Sequence, residues 1–419
     1  MSQNNNLSVG AAQVCVLGYA TTGAREEIPL ERSLGRVLAE EVRANRDQPP
    51  YDVSAMDGFA VRSADLTSGG VLLTVIEDIK AGDLPTKTVV SGQCARIMTG
   101  APVPSGADAV IRVEDTRMLS VDSVEISVPV TAGNDIRVRG ENMREGEVVL
   151  QAGTEISPGV IGLLATVKRA SVPVTCRPRV AILSSGDELE ALDDPFDAGK
   201  IPESNSFALM AQVQALGIEP VRLGIARDDP AELATFLRQG LDYDVLLVSG
   251  GSSVGVHDHV RPTLEALGVT LHFWRVEMKP GHPLVFGTRG GTLVFGLPGN
   301  PVSSMVCFEQ FVLPALRRMM GHPTAFRRSI RATLAHPIKH RPGRMEFVRV
   351  TLASADDGRL VATSTGSQSS GDLCSMARAD GLLVVPAESG YLAAGDAVRV
   401  QLFDGSLYQH AAGFVKENA

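Results

Sequence analysis

Long apolar runs are missing from this sequence. No stretch of about eighteen consecutive apolar residues occurs, so no membrane-spanning helix is expected. The opening "MSQNNNLSVG" has neither the basic nor the apolar region of a secretory signal. Cysteine is scarce and scattered: Cys15, Cys94, Cys176, Cys307 and Cys374, with no C-x-x-C pair. This set fits a reducing cytoplasm better than a disulfide framework, and reads most simply as small buried hydrophobes. Positive charge is in deficit, 39 Lys and Arg against 48 Asp and Glu for a net charge of −9, which argues against a general nucleic-acid binder. Three chemical signatures are also absent: a G-x-x-x-x-G-K-[ST] phosphate loop, an H-E-x-x-H zinc helix and a G-x-S-x-G nucleophile elbow.

What is present is a globular chain of 419 residues, 44% hydrophobic, long enough for two to four domains. The expected fold class is multidomain α/β and β. A mixed helical domain takes residues 1–50 with 140–175, and an inserted β domain takes 51–139. A doubly wound α/β domain follows over 176–326, then a C-terminal β domain over 327–412. In "LERSLGRVLAEEV", Leu30, Leu34, Val37, Leu38 and Val42 recur near helical spacing. Short β-branched runs broken by Gly, Pro and Asp, such as "VLLTVIEDI", "ARIMTG" and "AVIRVED", predict the first β domain.

Between 176 and 326, strands alternate with helices, which predicts a parallel doubly wound sheet. "SNSFALMAQVQALG" is a helix with Ser204 or Asn205 as cap and Gly217 as stop. Asp229, Pro230 and Glu232 read as cap, first turn and capping box of the next. "VSSMVCFEQFVLPALRRMMG" is apolar nearly all round, so it should be buried, with Pro314 bending it.

Ligands of open α/β sheets bind beyond the carboxyl ends of the strands. Four such ends gather here: "SSGDE" (Ser184–Glu188), "RDD" (Arg227–Asp229), "SGGSSVGVHD" (Ser249–Asp258) and "GLPGNP" (Gly296–Pro301). Each is rich in glycine, serine or acid. A single Gly-Gly-Ser loop signifies only a tight turn; four polar strand ends on one edge suggest a phosphoryl ligand. Ser249, Gly250, Gly251 and Ser253 supply N–H and O–H donors, and the "PGN" turn at Pro298–Asn300 leads into a helix N-terminus at Pro301–Val302. The acids Asp187, Glu188, Asp228 and Asp258 would repel a phosphate, a conflict that a hard cation such as Mg²⁺ resolves. Asp187 and Glu188 also fit an ordinary solvated loop, and Asp229 an ordinary helix cap. His257 and His259, one residue apart, point to opposite sides if extended, which disfavours a zinc pair. Lys279, in "MKPGHP", offers a fixed charge to phosphate or oxyanion. In "DIRVRGENMREGE", alternation puts Arg137 and Arg139 on one side of a strand, facing either an anion or solvent.

The motifs "SAMDGFAV", "RIMTGAPVPSGADAV", "IRVRGEN", "SSGDEL", "RDDP", "SGGSSVGVHD", "KPGHP" and "GLPGNPVSS" come in the order seen in the MoeA/gephyrin family. The chain resembles these molybdopterin molybdenumtransferases from about residue 25 to 410. The resemblance implies a molybdopterin-binding α/β domain, four domains per chain and a cytoplasmic homodimer. It also implies Mg²⁺-dependent insertion of molybdate into adenylylated molybdopterin, with release of AMP. Other proteins of molybdenum cofactor assembly become expected partners. Carried over to this sequence, the resemblance makes Asp57 and Thr99 functional residues of the first β domain. Glu188, Asp228 and Asp258 become the acidic, metal-holding cluster, Lys279 its cation, and Pro298 and Pro301 the shapers of the last turn. Arg275 falls where relatives often carry lysine, and His282 replaces the second lysine of the usual "KPGKP". Two other readings stay open: a molybdopterin adenylyltransferase, which lacks the "SAMDG" and "MTGAP" motifs, and a non-catalytic carrier or scaffold.

Overall fold

The structure is a computed structural model that describes residues 6–250, 259–355 and 357–403. The described residues form two compact units. One is built from residues up to Ile28, from Gly35–Ala39 and from Pro173 onward; the other from Pro29–Leu34 and Glu40–Val172.

The centre of the first unit is a seven-stranded sheet. Its order is Asn6–Leu7, Thr270–Val276, Pro283–Arg289, Thr292–Leu297, Val245–Ser249, Val180–Ser185, Val221–Ala226. The last four strands run parallel. Three of them (VAILSS, VLLVS and TLVFGL) are buried at every residue, as strands covered on both faces must be. Ile182, Leu247 and Phe295 pack against Leu209, Val213 and Phe308 on one face. Leu183, Leu246 and Val294 pack against Leu233, Leu237 and Leu264 on the other.

Strand–helix alternation predicts a sheet parallel throughout, and the structure departs from that at one side. Thr270–Val276 and Pro283–Arg289 are antiparallel, and the latter is antiparallel to Thr292–Leu297. The connections are too short for a crossover helix, which needs about a dozen residues, so the chain can only reverse.

The helices follow their local signals with three exceptions. Asp229 caps Pro230–Gly240, its Oδ1 accepting from Ala231 N at 3.0 Å and Glu232 N at 2.8 Å. Glu232 does not close a capping box; it accepts instead from Arg227 N at 3.1 Å. Ser204 precedes Asn205–Gln214 without a side-chain cap bond, because the nearby Glu203 carboxylate accepts from Ser206 N. The apolar helix is buried as expected, but ahead of Pro314 it widens into a π-helical turn, Phe308–Val312, between Pro301–Cys307 and Leu313–Met319. A wider turn accommodates a proline that brings no N–H and a bulky ring.

The helix expected around residues 30–42 is absent. Leu30–Arg32 makes one 3₁₀ turn, Gly35 stops it at φ +71°, and Leu38 bridges to Val174. Its apolar spacing serves strand-like burial of Val37 and Leu38 instead. The N-terminal helix is Val9–Tyr19, and it belongs to the α/β unit rather than with residues 140–175. Asn6–Leu7 adds an edge strand beside Thr270–Val276, and Val9, Ala12 and Val16 join that core.

From Ser329 onward, five strands close on themselves: Met345–Ser354, Leu360–Ser364, Ser329–Leu334, Ala397–Leu402 and Gly381–Val385, which returns to the first. Closure leaves no free edge in the ring. Met278–Lys279 adds to it in parallel beside Met345–Glu346, joining Lys279 to the barrel.

The second unit holds a six-stranded sheet in the order Ala109–Arg112, Gly58–Val61, Gln93–Ile97, Val71–Ile79, Ser123–Ile126, Thr116–Ser120. Phe59, Leu73 and Val124 fill one core, and Ala60, Ile79 and Val110 another. Cys94 is buried there, its thiol pushed up to about 12 by desolvation, as the scattered cysteines suggested; Cys374 is exposed.

Candidate functional site

The structure brings three of the four strand ends together as described residues. Gly250 carries the closest apposition: at φ +96°, an added Cβ would lie 2.1 Å from the Ser185 carbonyl oxygen. Only glycine permits this approach. Its N–H, however, donates to Leu297 O at 3.2 Å. It therefore braces two strands and is not one of the anion donors anticipated at this glycine. Asn205 is a residue whose larger part the sequence concealed. Its Nδ2 donates to Ser249 Oγ at 2.8 Å and to Gly299 O at 2.7 Å, stapling two strand ends. Ser249 is buried and accepts that bond, which leaves its own hydroxyl proton to give.

The anticipated helix N-terminus also differs. Asn300 is exposed and Pro301 opens the helix, but the Val302 N–H donates to Ser370 O at 3.0 Å. That donor is occupied. Pro298 is buried and sets the turn.

On the acidic side, Asp187 Oδ1 accepts from Asp228 N at 3.1 Å, joining the first and second strand ends. Arg227 turns away, donating through Nη1 to Leu189 O at 2.9 Å. The Glu188 carboxyl lies against Gly186, within 2.7 Å of where a Cβ would stand. Glu188 is exposed and Asp228 half-buried. Among the described residues no three His, Cys, Asp or Glu side chains gather closely enough to hold a metal ion. Gly251, Ser253, His257 and Asp258 lie outside the described residues.

Lys279 is not a free cation. Its Nζ lies 2.8 Å from Glu346 Oε1 at the rim of the barrel. Glu346 is buried and its other oxygen accepts from His340 Nδ1 at 2.8 Å. His282 donates from Nδ1 to Val276 O at 2.7 Å, which fixes its ring and leaves Nε2 for other work. Arg275 is half-buried on the strand before it.

In the second unit, Asp57 and Thr99 meet, although 42 positions separate them. Asp57 Oδ1 accepts from Thr99 N at 2.7 Å and from Thr99 Oγ1 at 2.8 Å. Gly58 makes this possible: any Cβ there would fall 1.8 Å from Ile111 O, so the strand pairing that presents Asp57 requires glycine. The backbone N–H of Thr99, then its hydroxyl, then the charge of Arg96 hold the Asp57 carboxyl below its ordinary range. Arg137 and Arg139 do not share a strand face. The strand ends at Arg137, whose Nη2 donates to Asn142 Oδ1 at 2.9 Å; Arg139 lies beyond it and pairs with Asp47.

One residue gave no signal at all. Arg349, in the alternating run "EFVRVTL", is fully buried and donates to the carbonyls of Ser367 at 2.9 Å and Ser369 at 3.0 Å and to Ser375 Oγ at 2.9 Å. It organises the serine-rich loop that reaches Val302. Burial pulls its guanidinium below the ordinary arginine range.

A polar collar around the carboxyl ends of an α/β sheet, a closed β barrel at its side and a separate β unit carrying an aspartate–threonine pair define a multidomain α/β and β protein. Three family descriptions match in succession. They are MoeA N-terminal region (domain I and II) over residues 7–167, Probable molybdopterin binding domain over 181–318 and MoeA C-terminal region (domain IV) over 331–403. The molybdopterin molybdenumtransferase of a Nostoc species is 36% identical over 384 residues, 90% of this chain and 88% of its own. Molybdopterin molybdenumtransferase 2 of Mycobacterium tuberculosis is 39% identical, covering 89% of this chain and 94% of its own. The crystal structure of the molybdopterin biosynthesis MoeA protein of Pyrococcus horikoshii superposes with a TM-score of 0.82 at 30% identity, covering 95% of this chain and all of its own. The chain belongs to the molybdopterin molybdenumtransferase family.

Proposed function

We propose that this protein is a transferase of molybdenum cofactor biosynthesis that inserts molybdate into adenylylated molybdopterin and releases AMP. Mg²⁺ is its cofactor, and it works as a cytoplasmic homodimer with other proteins of cofactor assembly as partners. The observation that carries the reading is kinship over about nine-tenths of the chain, which includes both β regions as well as the α/β domain. An adenylyltransferase built from the α/β domain alone would not account for those regions. No helix among the described residues is long and apolar enough to cross a membrane.

The donor set fits a hard cation. Glu188 and Asp228 present only carboxylate oxygens, and Mg²⁺ is usually held by one or two carboxylates with water and substrate phosphate completing the shell. Glu188, Asp228 and Asp258 are the residues that would hold it, and bound there it supplies charge stabilisation for the phosphate oxygens. Ser249 donates to the ligand from a buried hydroxyl that Asn205 orients. Lys279 stabilises charge developing on the cleaved phosphate, and to do so it must exchange Glu346 for the substrate. Arg275 and the Nε2 of His282 face the anionic substrates from the neighbouring strand and turn. Gly250, Pro298, Asn300 and Pro301 shape the cradle. Gly251 and Ser253 are assigned to its remaining donors. Within the second unit, Asp57, kept ionised by Thr99, is assigned as a hydrogen-bond acceptor and Arg137 as a cation for substrate.

Purified protein supplied with adenylylated molybdopterin, molybdate and Mg²⁺ should release AMP. Release should stop when molybdate is omitted and fall by at least about a hundredfold in Asp57→Ala, the range set by losing a positioned polar group. Binding of the adduct without AMP release under any of these conditions would overturn the assignment.

A further inference from the structure

The turn that presents Asp57 is held at both ends by backbone bonds. At its start, Ala55 N donates to Asp135 O at 2.8 Å; at its end, Val113 N donates to Asp57 O at 3.0 Å. The two anchors come from different segments: Asp135 precedes the strand Ile136–Arg137, and Val113 follows the strand Ala109–Arg112. Next to the turn, side chains join them. Arg112 donates from Nε to Asp135 Oδ2 at 3.0 Å and from Nη2 to Asp135 Oδ1 at 3.2 Å. Asn134 Nδ2 steadies the same carboxylate, donating to Asp135 Oδ2 at 3.2 Å and to Val110 O at 2.9 Å. These contacts close a ring. It runs from Ala55 to Asp57, across to Val113, back one residue to Arg112, through the fork to Asp135, and across to Ala55.

An ordinary surface ion pair contributes little, because two flexible side chains must be held in one geometry. This pair differs in three respects. The Asp135 side chain is only 16% exposed. Its backbone is at φ +49°, which among the described non-glycine residues only Lys168 shares, and that conformation is unfavourable for most side chains. Arg112 stands opposite Gly58, the residue after Asp57, where strand pairing leaves no room for a Cβ. A two-bond fork fixes direction as well as distance.

We propose that Arg112 and Asp135 are positioning residues, whose fork fixes the turn Ala55–Asp57 so that the Asp57 carboxylate stays aligned on Thr99 and on substrate. The part that concerns substrate rests on the assignment of Asp57 made above; the part that concerns Thr99 does not.

The test starts with the Asp57 carboxyl resonance, followed by NMR against pH in full-length Asp135→Gly. Glycine adopts φ +49° freely, so this variant removes the fork without imposing strain. Loss of the Asp135 charge and release of Arg112 would by themselves lower the Asp57 pKa, whereas loss of the Thr99 bonds raises it. A rise therefore reports a displaced turn, and a rise is expected. Arg112→Lys, at a half-exposed position, keeps the charge without the fork and should move the pKa the same way. Asp135→Asn tolerates positive φ and keeps one acceptor oxygen, so it should restore most of the parent value. Arg117→Gln, which breaks the pair with Glu125 in the same sheet, should change nothing. AMP release should fall about tenfold in Asp135→Gly, and combining Asp57→Ala with it should be no slower than Asp57→Ala alone. A pKa that falls or stays put, or a double variant slowed by the product of the single effects, overturns the proposal. If Asp57→Ala releases AMP at the parent rate, the assignment of Asp57 to substrate fails, and the pKa still decides whether the fork positions the turn. If Asp57→Ala is impaired while Asp135→Gly shows neither change, this inference alone fails.

Discussion

Glu203 and Glu346 are both buried in the first unit, one below the α/β strand ends and one at the rim of the barrel, and they are treated in opposite ways. Glu203 is fully served. It accepts from Ser184 Oγ at 2.9 Å, from Ser206 N at 2.7 Å and from the Ser206 hydroxyl, with Arg222 Nη2 3.5 Å away. These partners tie the strand Val180–Ser185 to the helix Asn205–Gln214. Glu346 is served by two groups only, one of which, Lys279, is 59% exposed, while the other, His340, carries an unpartnered nitrogen. A closed network rigidifies; an open one retains donors that a ligand can engage. The contrast separates a carboxylate closed in by strand and helix partners from one that holds an exposed lysine.

The largest effect should come from breaking the closed network. Glu203→Ala leaves Arg222, Ser184 and Ser206 without their acceptor and should cost about 3–5 kcal/mol of stability, measured by urea unfolding. Glu346→Gln keeps an acceptor oxygen and should cost less than half of that. Equal losses would erase the distinction. Next come the two helix starts on the same sheet. Asp229→Ala removes two cap bonds and should cost about 1 kcal/mol, whereas Ser204→Ala removes none and should be close to neutral. A larger loss at Ser204 would mean that its hydroxyl works in a way its geometry does not show.

The smallest change is electrostatic and lies in the second unit. Thr99→Val removes one of two donors to Asp57, and carboxyl resonances followed by NMR should show the Asp57 pKa moving up toward its ordinary value. It should not arrive fully, since the Thr99 backbone N–H is the larger cause and remains. The sign for stability follows. A folded-state pKa below the unfolded one stabilises the protein above the ordinary aspartate range, and that contribution is lost as pH falls through the depressed value. The variant should therefore lose less stability on acidification than the parent.

Residue order alone announced the strands of the α/β domain, the cap at Asp229, the stop at Gly217 and the meeting of polar strand ends at one edge. Each follows from local chemistry: a fully apolar run, a side chain that reaches its own backbone, a glycine that turns. It also indicated Asp57 and Thr99 through a family resemblance, and the structure brings them within hydrogen-bond distance. The apolar spacing of residues 30–42 misled for a related reason. Leu30, Val37 and Leu38 satisfy a helical period, but Gly35 in a left-handed turn and the bridge from Leu38 to Val174 take precedence.

Other decisions belong to the folded chain. The sheet reverses at Pro283–Arg289, whose connections to Thr270–Val276 and Thr292–Leu297 are both too short to cross over. The Val302 N–H, expected at an anion, is taken by Ser370 O; the Gly250 N–H is taken by Leu297 O. Lys279 meets Glu346, and Arg349 is buried among serines, through pairings between distant segments. A sequence lists which groups can donate or accept, whereas only the tertiary structure settles which are already satisfied. That difference decides why the Gly250 N–H is already engaged while the buried His340 Nε2 has no partner among the described residues.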